Sequence, residues 1–152
     1  ISMKDFGKIS NLGEMLKEKQ LHIVYKVHMQ DFGWLPEAVD AATAGKPDSG
    51  KRLEALQVRL PDAPEGAGIR YCVHVAGKGW LPEVSDGAVG GTTGESRRAE
   101  AVKMHLVGCE GYTVFYRVFM HGKGWSGWCS NGQVAGTVGE SRQLEAVEIY
   151  IQ

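Results

Sequence analysis

At 152 residues, with 17 basic and 18 acidic side chains and a net charge of −1, the chain is long enough for one domain with a proper core and does not depend on disulfides to fold. The balanced charge argues against a nucleic-acid binder, which ordinarily carries a basic excess or stripe. No apolar run approaches membrane-spanning length and no secretory signal is visible, so the expectation is no membrane span. The 21 glycines, about twice ordinary usage, punctuate short apolar alternations and point to an all-β chain with many tight turns.

Residues 1–20 are expected to form a linker or short helix leading from an upstream region. Asn11 stands where an N-cap would, Glu14 follows three residues later, and Leu12, Met15 and Leu16 make a short apolar stripe. From residue 21 onward the chain repeats itself three times, over about 21–63, 67–108 and 111–152. Tyr25, Tyr71 and Tyr116 each precede Trp34, Trp80 and Trp125 by nine residues, and Glu54, Glu100 and Glu145 follow those tryptophans by twenty. Periods of 46 and then 45 residues signal a repeat architecture.

Each unit opens on an alternating stretch: Tyr25, Val27 and Met29 share a face, as do Tyr71, Val73 and Val75, and Tyr116, Val118 and Met120. That alternation predicts a strand half-buried on that face. A Gly-Trp step and a second short strand follow, ended by Asp40-Ala41, Asp86-Gly87 or Asn131-Gly132, which are tight-hairpin signals. A Gly/Thr-rich piece centred on Gly45, Gly91 and Gly136 leads to a last alternating strand, through Leu56–Leu60, Val102–Leu106 and Val147–Ile151. A unit this small cannot bury its apolar face alone, so the three must pack about a common axis. The predicted fold is a pseudo-threefold, β-prism-like domain, with a β-trefoil as the alternative.

These motifs resemble the ChW repeat, the clostridial hydrophobic repeat with a characteristic Trp. The second unit carries the resemblance most fully: Tyr71-Cys-Val-His74, Gly79-Trp80, Asp86-Gly87, Gly91-Thr-Thr-Gly94-Glu-Ser96 and Arg97-Arg-Ala-Glu100-Ala-Val102. It extends over residues 22–151. The resemblance implies an extracellular or cell-surface module of clostridia and related bacteria. It implies attachment to a secreted hydrolase or surface protein, which the module holds to cell-wall polysaccharide, peptidoglycan or another glycan. Two departures stand out. A second Trp is frequent three residues after the first, and here that place holds Glu37, Glu83 and Trp128; the first unit also replaces the Gly-Thr-Thr-Gly signature with Gly45-Lys-Pro-Asp-Ser-Gly50.

Each recurrent residue has a structural and a functional reading. A Trp in every copy is what a threefold core needs, so Trp34, Trp80 and Trp125 are expected in the core with Tyr25, Tyr71 and Tyr116. Trp128 has no counterpart and is the expected exposed platform. Glu54, Glu100 and Glu145 fall in phase with the apolar face of the last strand and need partners there. Lys51, Arg97 and Arg142, three residues upstream, are the partners the spacing suggests, in a structural rather than catalytic role. His28 and His74 lie on the other face of the first strand, with Phe119 in the third unit, and lack a recurring third ligand for a metal. They remain possible sugar contacts. The loop side chains Thr92, Thr93, Glu95, Ser96 and Arg97, and Thr137, Glu140, Ser141 and Arg142, are the donors and acceptors of a shallow polyol site. The loop lacks the Lys-Ser/Thr ending of a phosphate-cradling P-loop. Cys72, Cys109 and Cys129 occupy non-equivalent places and read as incidental thiols, with any pairing left open.

No Ser-His-Asp, Cys-His or paired-carboxylate set stands out, so no catalytic residues, cofactor or metal are assigned and no enzyme is expected. Three equivalent weak sites suit multivalent binding. The expected function is a non-catalytic, lectin-like carbohydrate- or cell-wall-binding module of a secreted, surface or phage-type lytic protein, binding multivalently; the alternative is a protein-interaction or adhesion module on the bacterial surface.

Overall fold

The computed structural model describes residues 21–152; the expected helix or linker over 1–20 lies outside the described residues. All regular structure within that span is extended. The first unit contributes β1 (Val24–Met29), β2 (Gly33–Trp34), β3 (Ala38–Val39), β4 (Ala44–Gly45) and β5 (Leu53–Arg59). The second contributes β6 (Gly68–Val75), β7 (Gly79–Trp80), β8 (Val84–Ser85), β9 (Gly90–Gly91) and β10 (Ala99–Val107). The third contributes β11 (Val114–Met120), β12 (Gly124–Trp125), β13 (Cys129–Ser130), β14 (Ala135–Gly136) and β15 (Leu144–Ile151).

These strands form three separate antiparallel sheets of five strands, one per unit, around a shared core, the arrangement expected of a prism-like domain. Two long strands make the body of each sheet: β1 with β5, β6 with β10, and β11 with β15. The alternation read from the sequence sets which side faces in. Tyr25, Val27 and Met29 are buried, as are Tyr71, Val73 and Val75, and Tyr116, Val118 and Met120.

The Gly/Thr-rich strands do not stay in their own sheets. Strand β9 of the second unit pairs with β5 of the first, β14 of the third pairs with β10 of the second, and β4 of the first pairs with β15 of the third. Each unit thus lends a short strand to the unit before it, and the first unit closes the ring onto the last.

Glycine at the centre of the lent strand is required twice over. Gly91 has φ +92°, where an L side chain is strained, and a Cβ there would fall on the Glu54 carbonyl oxygen. Gly136 and Gly45 repeat this against the Glu100 and Glu145 carbonyls, with φ +108° and +112°. The turn before each lent strand has positive φ at both central residues: Asp40 and Ala41, Asp86 and Gly87, Asn131 and Gly132. That is the tight-turn conformation the Asp-Gly and Asn-Gly pairs predicted, but the strands on either side pair in different sheets, so each turn is a crossover and not the expected hairpin.

The three buried tyrosines lock the same seams. Each hydroxyl donates to a carbonyl just past its own unit's turn, at Ala42, Ala88 or Gln133. Tyr25 and Tyr71 also accept from the backbone N–H of Ile149 and Val58, at 3.1 and 3.2 Å. Beside Tyr116 the Gly132 N–H donates to the Met104 carbonyl at 2.9 Å, as Ala41 does to Ile149 and Gly87 to Val58.

Candidate functional site

The tryptophans of the Gly-Trp step are not in the core. Trp34, Trp80 and Trp125 are half-buried on the outer faces of the sheets. The register explains it: β2 pairs with β1 so that Trp34 sits opposite His28, and the inward residues of β1 are the odd-numbered Tyr25, Val27 and Met29. The partner of an outward residue is itself outward. His28 and His74 meet the edges of Trp34 and Trp80 with ring centroids 5.3 Å apart, and Phe119 meets Trp125 at 5.5 Å.

A cation covers each of these tryptophans, though its strand of origin changes. Lys26 on β1 lies over Trp34, Lys103 on β10 over Trp80, and Arg117 on β11 over Trp125, at 5.3, 4.5 and 4.7 Å from the ring centroids. Lys26 faces Gln57, Cys72 faces Lys103, and Arg117 faces Glu148 across the ladder. One cation per cross-strand pair is enough to cap the indole.

The repeated glutamates are buried, at 4, 5 and 0% exposure, but they turn to the histidine side rather than the core. A β-bulge separates them from the apolar phase that the sequence suggests. Opposite β1 the ladder passes from Leu53 to Ala55, leaving Glu54 as the extra residue, and β10 skips Glu100 in the same way. Glu54 accepts from Arg52 Nε at 2.8 Å and bonds His28 Nδ1 at 3.0 Å; Glu100 repeats this with Arg98 and His74 at the same distances. In the third unit both partners change. His121, beyond the strand, and Gln143 both bond Glu145 Oε2 at 2.9 Å, and Oε1 is left buried without a partner.

The partners expected three residues upstream are engaged elsewhere. Lys51 pairs with Asp31 at 2.6 Å. Arg97 bonds Glu95 and the Ala76 carbonyl, and Arg142 bonds Glu140 and the His121 carbonyl. The bulge brings the residue two positions upstream onto the carboxylate instead.

The candidate polyol loop separates into a structural and an exposed half. Thr92 is buried, its N–H donates to the Glu54 carbonyl in the inter-unit ladder, and its hydroxyl has no partner; the Thr137 hydroxyl is buried and unpartnered in the same way. Neither faces a ligand surface, because the lent strand ends there. Thr93, Glu95, Ser96, Glu140 and Ser141 are exposed, with Arg97 and Arg142 half-exposed. Lys78 and Arg97 hold the Glu95 carboxyl below the usual range, and Lys123 and Arg142 do the same for Glu140. Ser96 and Ser141 take left-handed φ where the first unit has Gly50, so the loop keeps its course without the Gly-Thr-Thr-Gly signature. His28 and His74 are committed to their glutamates. The three cysteines are free thiols, each pushed upward in pKa by burial. Among the described residues no three His, Cys, Asp or Glu side chains gather as a metal would require.

Trp128 is 41% exposed and heads an aromatic surface that the sequence reading did not assemble. Tyr150 stacks on Phe115 at 5.1 Å with the rings 16° apart, and Trp128 packs edge-on against Tyr150 at 4.9 Å. Arg117 reaches both Trp125 and Trp128, 4.8 Å from the latter's centroid, while Glu148 fixes its guanidinium at 2.7 and 2.8 Å. Thr43 of the first unit donates to the other oxygen of Glu148 at 2.5 Å, which ties this patch to the seam between units.

The equivalent places in the other units carry polar side chains. Glu37 stands in the place of Trp128 in the first unit and pairs with Arg59, the counterpart of Tyr150, at 3.2 Å. Glu83 and His105 occupy those places in the second unit, 4.0 Å apart. The Phe115–Trp128–Tyr150 cluster therefore occurs in the third unit alone among the described residues. Its signal in the sequence was the simultaneous change of three aligned positions to Phe115, Trp128 and Tyr150.

A ring of three lent-strand β units with one aromatic face defines the class: a pseudo-threefold, all-β repeat domain. The chain belongs to the ChW family, Clostridial hydrophobic W, whose model matches it three times, at residues 28–62, 74–108 and 120–152. No curated protein and no solved structure matches the chain.

Proposed function

We propose that the domain is a non-catalytic binding module that attaches a larger extracellular or surface protein to saccharide, with bacterial cell-wall glycan as the substrate class. The observation that carries this is the Trp128 platform: an exposed indole, packed against Tyr150, which Phe115 backs in turn, with the pinned Arg117 over its ring. A rigid apolar face beside fixed donors suits a pyranose ring, which offers C–H groups on one side and hydroxyls at its rim. Each repeated glutamate is buried and tied to its own unit's partners, which supports binding without turnover, since glycoside hydrolysis needs two carboxylates free to act across one bond.

A glycan and wall-polysaccharide array with the isolated domain and with Trp128→Ala tests the reading. The substitution is expected to weaken glycan binding by about 2 kcal/mol, roughly 30-fold, with the melting temperature little changed. Equal binding by both proteins would remove the platform, and retention only on protein ligands would favour an adhesion module.

A further inference from the structure

Arg52, Arg98 and Gln143 are equivalent residues of the three units, each two positions before its buried glutamate. Arg52, Arg98 and Gln143 line one cleft of about 470 Å³ together with Ser96 and Arg97 of the second unit. The convergence of all three copies makes this a junction that none of the units has alone.

The cleft is a donor surface. Arg52 and Arg98 each spend Nε on a carboxylate beneath, at 2.8 Å, and among the described residues their four Nη groups have no hydrogen-bond acceptor. The guanidinium side chains are 23 and 34% exposed, against 6% for each carboxylate, so the positive layer lies outward and the negative one inward. Glu95 does not reverse this, since Lys78 and Arg97 hold it at 2.8 and 3.1 Å. In the third position Gln143 replaces an arginine and uses its amide hydrogens on the Gly50 carbonyl and Glu145. Two guanidinium forks from different units, with the Ser96 hydroxyl beside them, match the several acceptor oxygens of one tetrahedral anion.

We propose that this inter-unit cleft is a binding site for a phosphate-type oxyanion, held between Arg52 and Arg98. The site is separate from the Trp128 platform and stands whether or not that platform binds glycan. The oxyanion is either free phosphate or a phosphoryl group on a polyol.

The test follows the Arg side-chain and backbone NMR signals of the labelled protein during titration with inorganic phosphate at constant ionic strength, with chloride as the control. Saturable shifts at Arg52, Arg98 and Ser96 are expected. The Arg98→Gln and Arg52→Gln variants carry the residue that the third unit already accommodates at that place, and each should lose affinity about tenfold or more. Trp128→Ala should bind phosphate as the parent does, which separates this site from the glycan reading. Parallel titrations with glycerol phosphate and a phosphodiester-linked polyol decide the source, and tighter binding of any one of the three phosphates supports the site. Shifts that chloride reproduces, or unchanged affinity in the Arg52→Gln, Arg98→Gln double variant, would overturn it.

Discussion

The hydroxyl of Tyr25 accepts a hydrogen bond from the backbone N–H of Ile149, 3.1 Å away and 124 positions later in the chain. It also donates to the Ala42 carbonyl, so one buried oxygen joins the first unit's turn to the third unit's last strand. Tyr25→Phe keeps the ring and strands both groups without a partner. The expected cost is about 1–3 kcal/mol, read as a lower urea midpoint with an unchanged denaturant slope.

The same hydroxyls set an alkaline limit. Burial pushes Tyr25 and Tyr116 up to about 12, and Tyr71 upward as well, from an ordinary value of 10.0. A group whose folded pKa lies above its unfolded one contributes stability that is complete below the unfolded value and is lost as pH rises through the folded one. Unfolding should therefore become easier between about pH 10 and 12, and circular dichroism should fall together with the rise of the buried tyrosinate absorbance. A fold that persists after those three residues have ionised would contradict the arrangement.

Two glycines with similar φ separate backbone strain from close approach. Gly79, at φ +76°, has open space at its Cβ position, whereas Gly91, at φ +92°, has the Glu54 carbonyl there. Gly79→Ala should cost about 1–2 kcal/mol, the left-handed penalty alone. Gly91→Ala should cost more than about 3 kcal/mol, because the lent strand must also move off β5. Thermal melts of the two variants, run side by side, check the difference.

Ring closure predicts all-or-none behaviour. Removing residues 113–152 leaves β4 without β15 and β10 without β14. The remaining two units should fail to fold as a monomer, giving no cooperative melt and poor dispersion of amide resonances. A two-unit fragment that melts cooperatively as a monomer would show that the lent strands are dispensable.

Much of the fold was legible in the chain. Period 2 placed Tyr25, Val27 and Met29 on one face of a strand, and the triplicate spacing dictated three packed units, because those regularities follow from local backbone geometry. The Asp-Gly and Asn-Gly turns were equally local. The glutamates misled because a bulge adds one residue to the ladder and reverses which face a side chain takes. The tryptophans misled because recurrence marks structural need without saying on which side of the sheet it arises.

Trp128 could be singled out from its lack of counterparts, yet the aromatic surface around it could not. Phe115 and Tyr150 lie on β11 and β15 and Trp128 just before β13, and only the β11–β15 register and the β11–β13 pairing bring them together. The exchange of strands was hidden for the same reason. A two-residue Gly-Gly or Ala-Gly segment carries no mark of whether it pairs within its unit or across a seam. Sequence determined the repeat, the inward faces and the turns, since each depends on neighbours a few residues apart. Tertiary structure alone decided which unit receives each lent strand, that Arg52, Arg98 and Gln143 share one cleft, and that one face of three is aromatic, since each depends on residues dozens of positions apart meeting across a seam or a ladder.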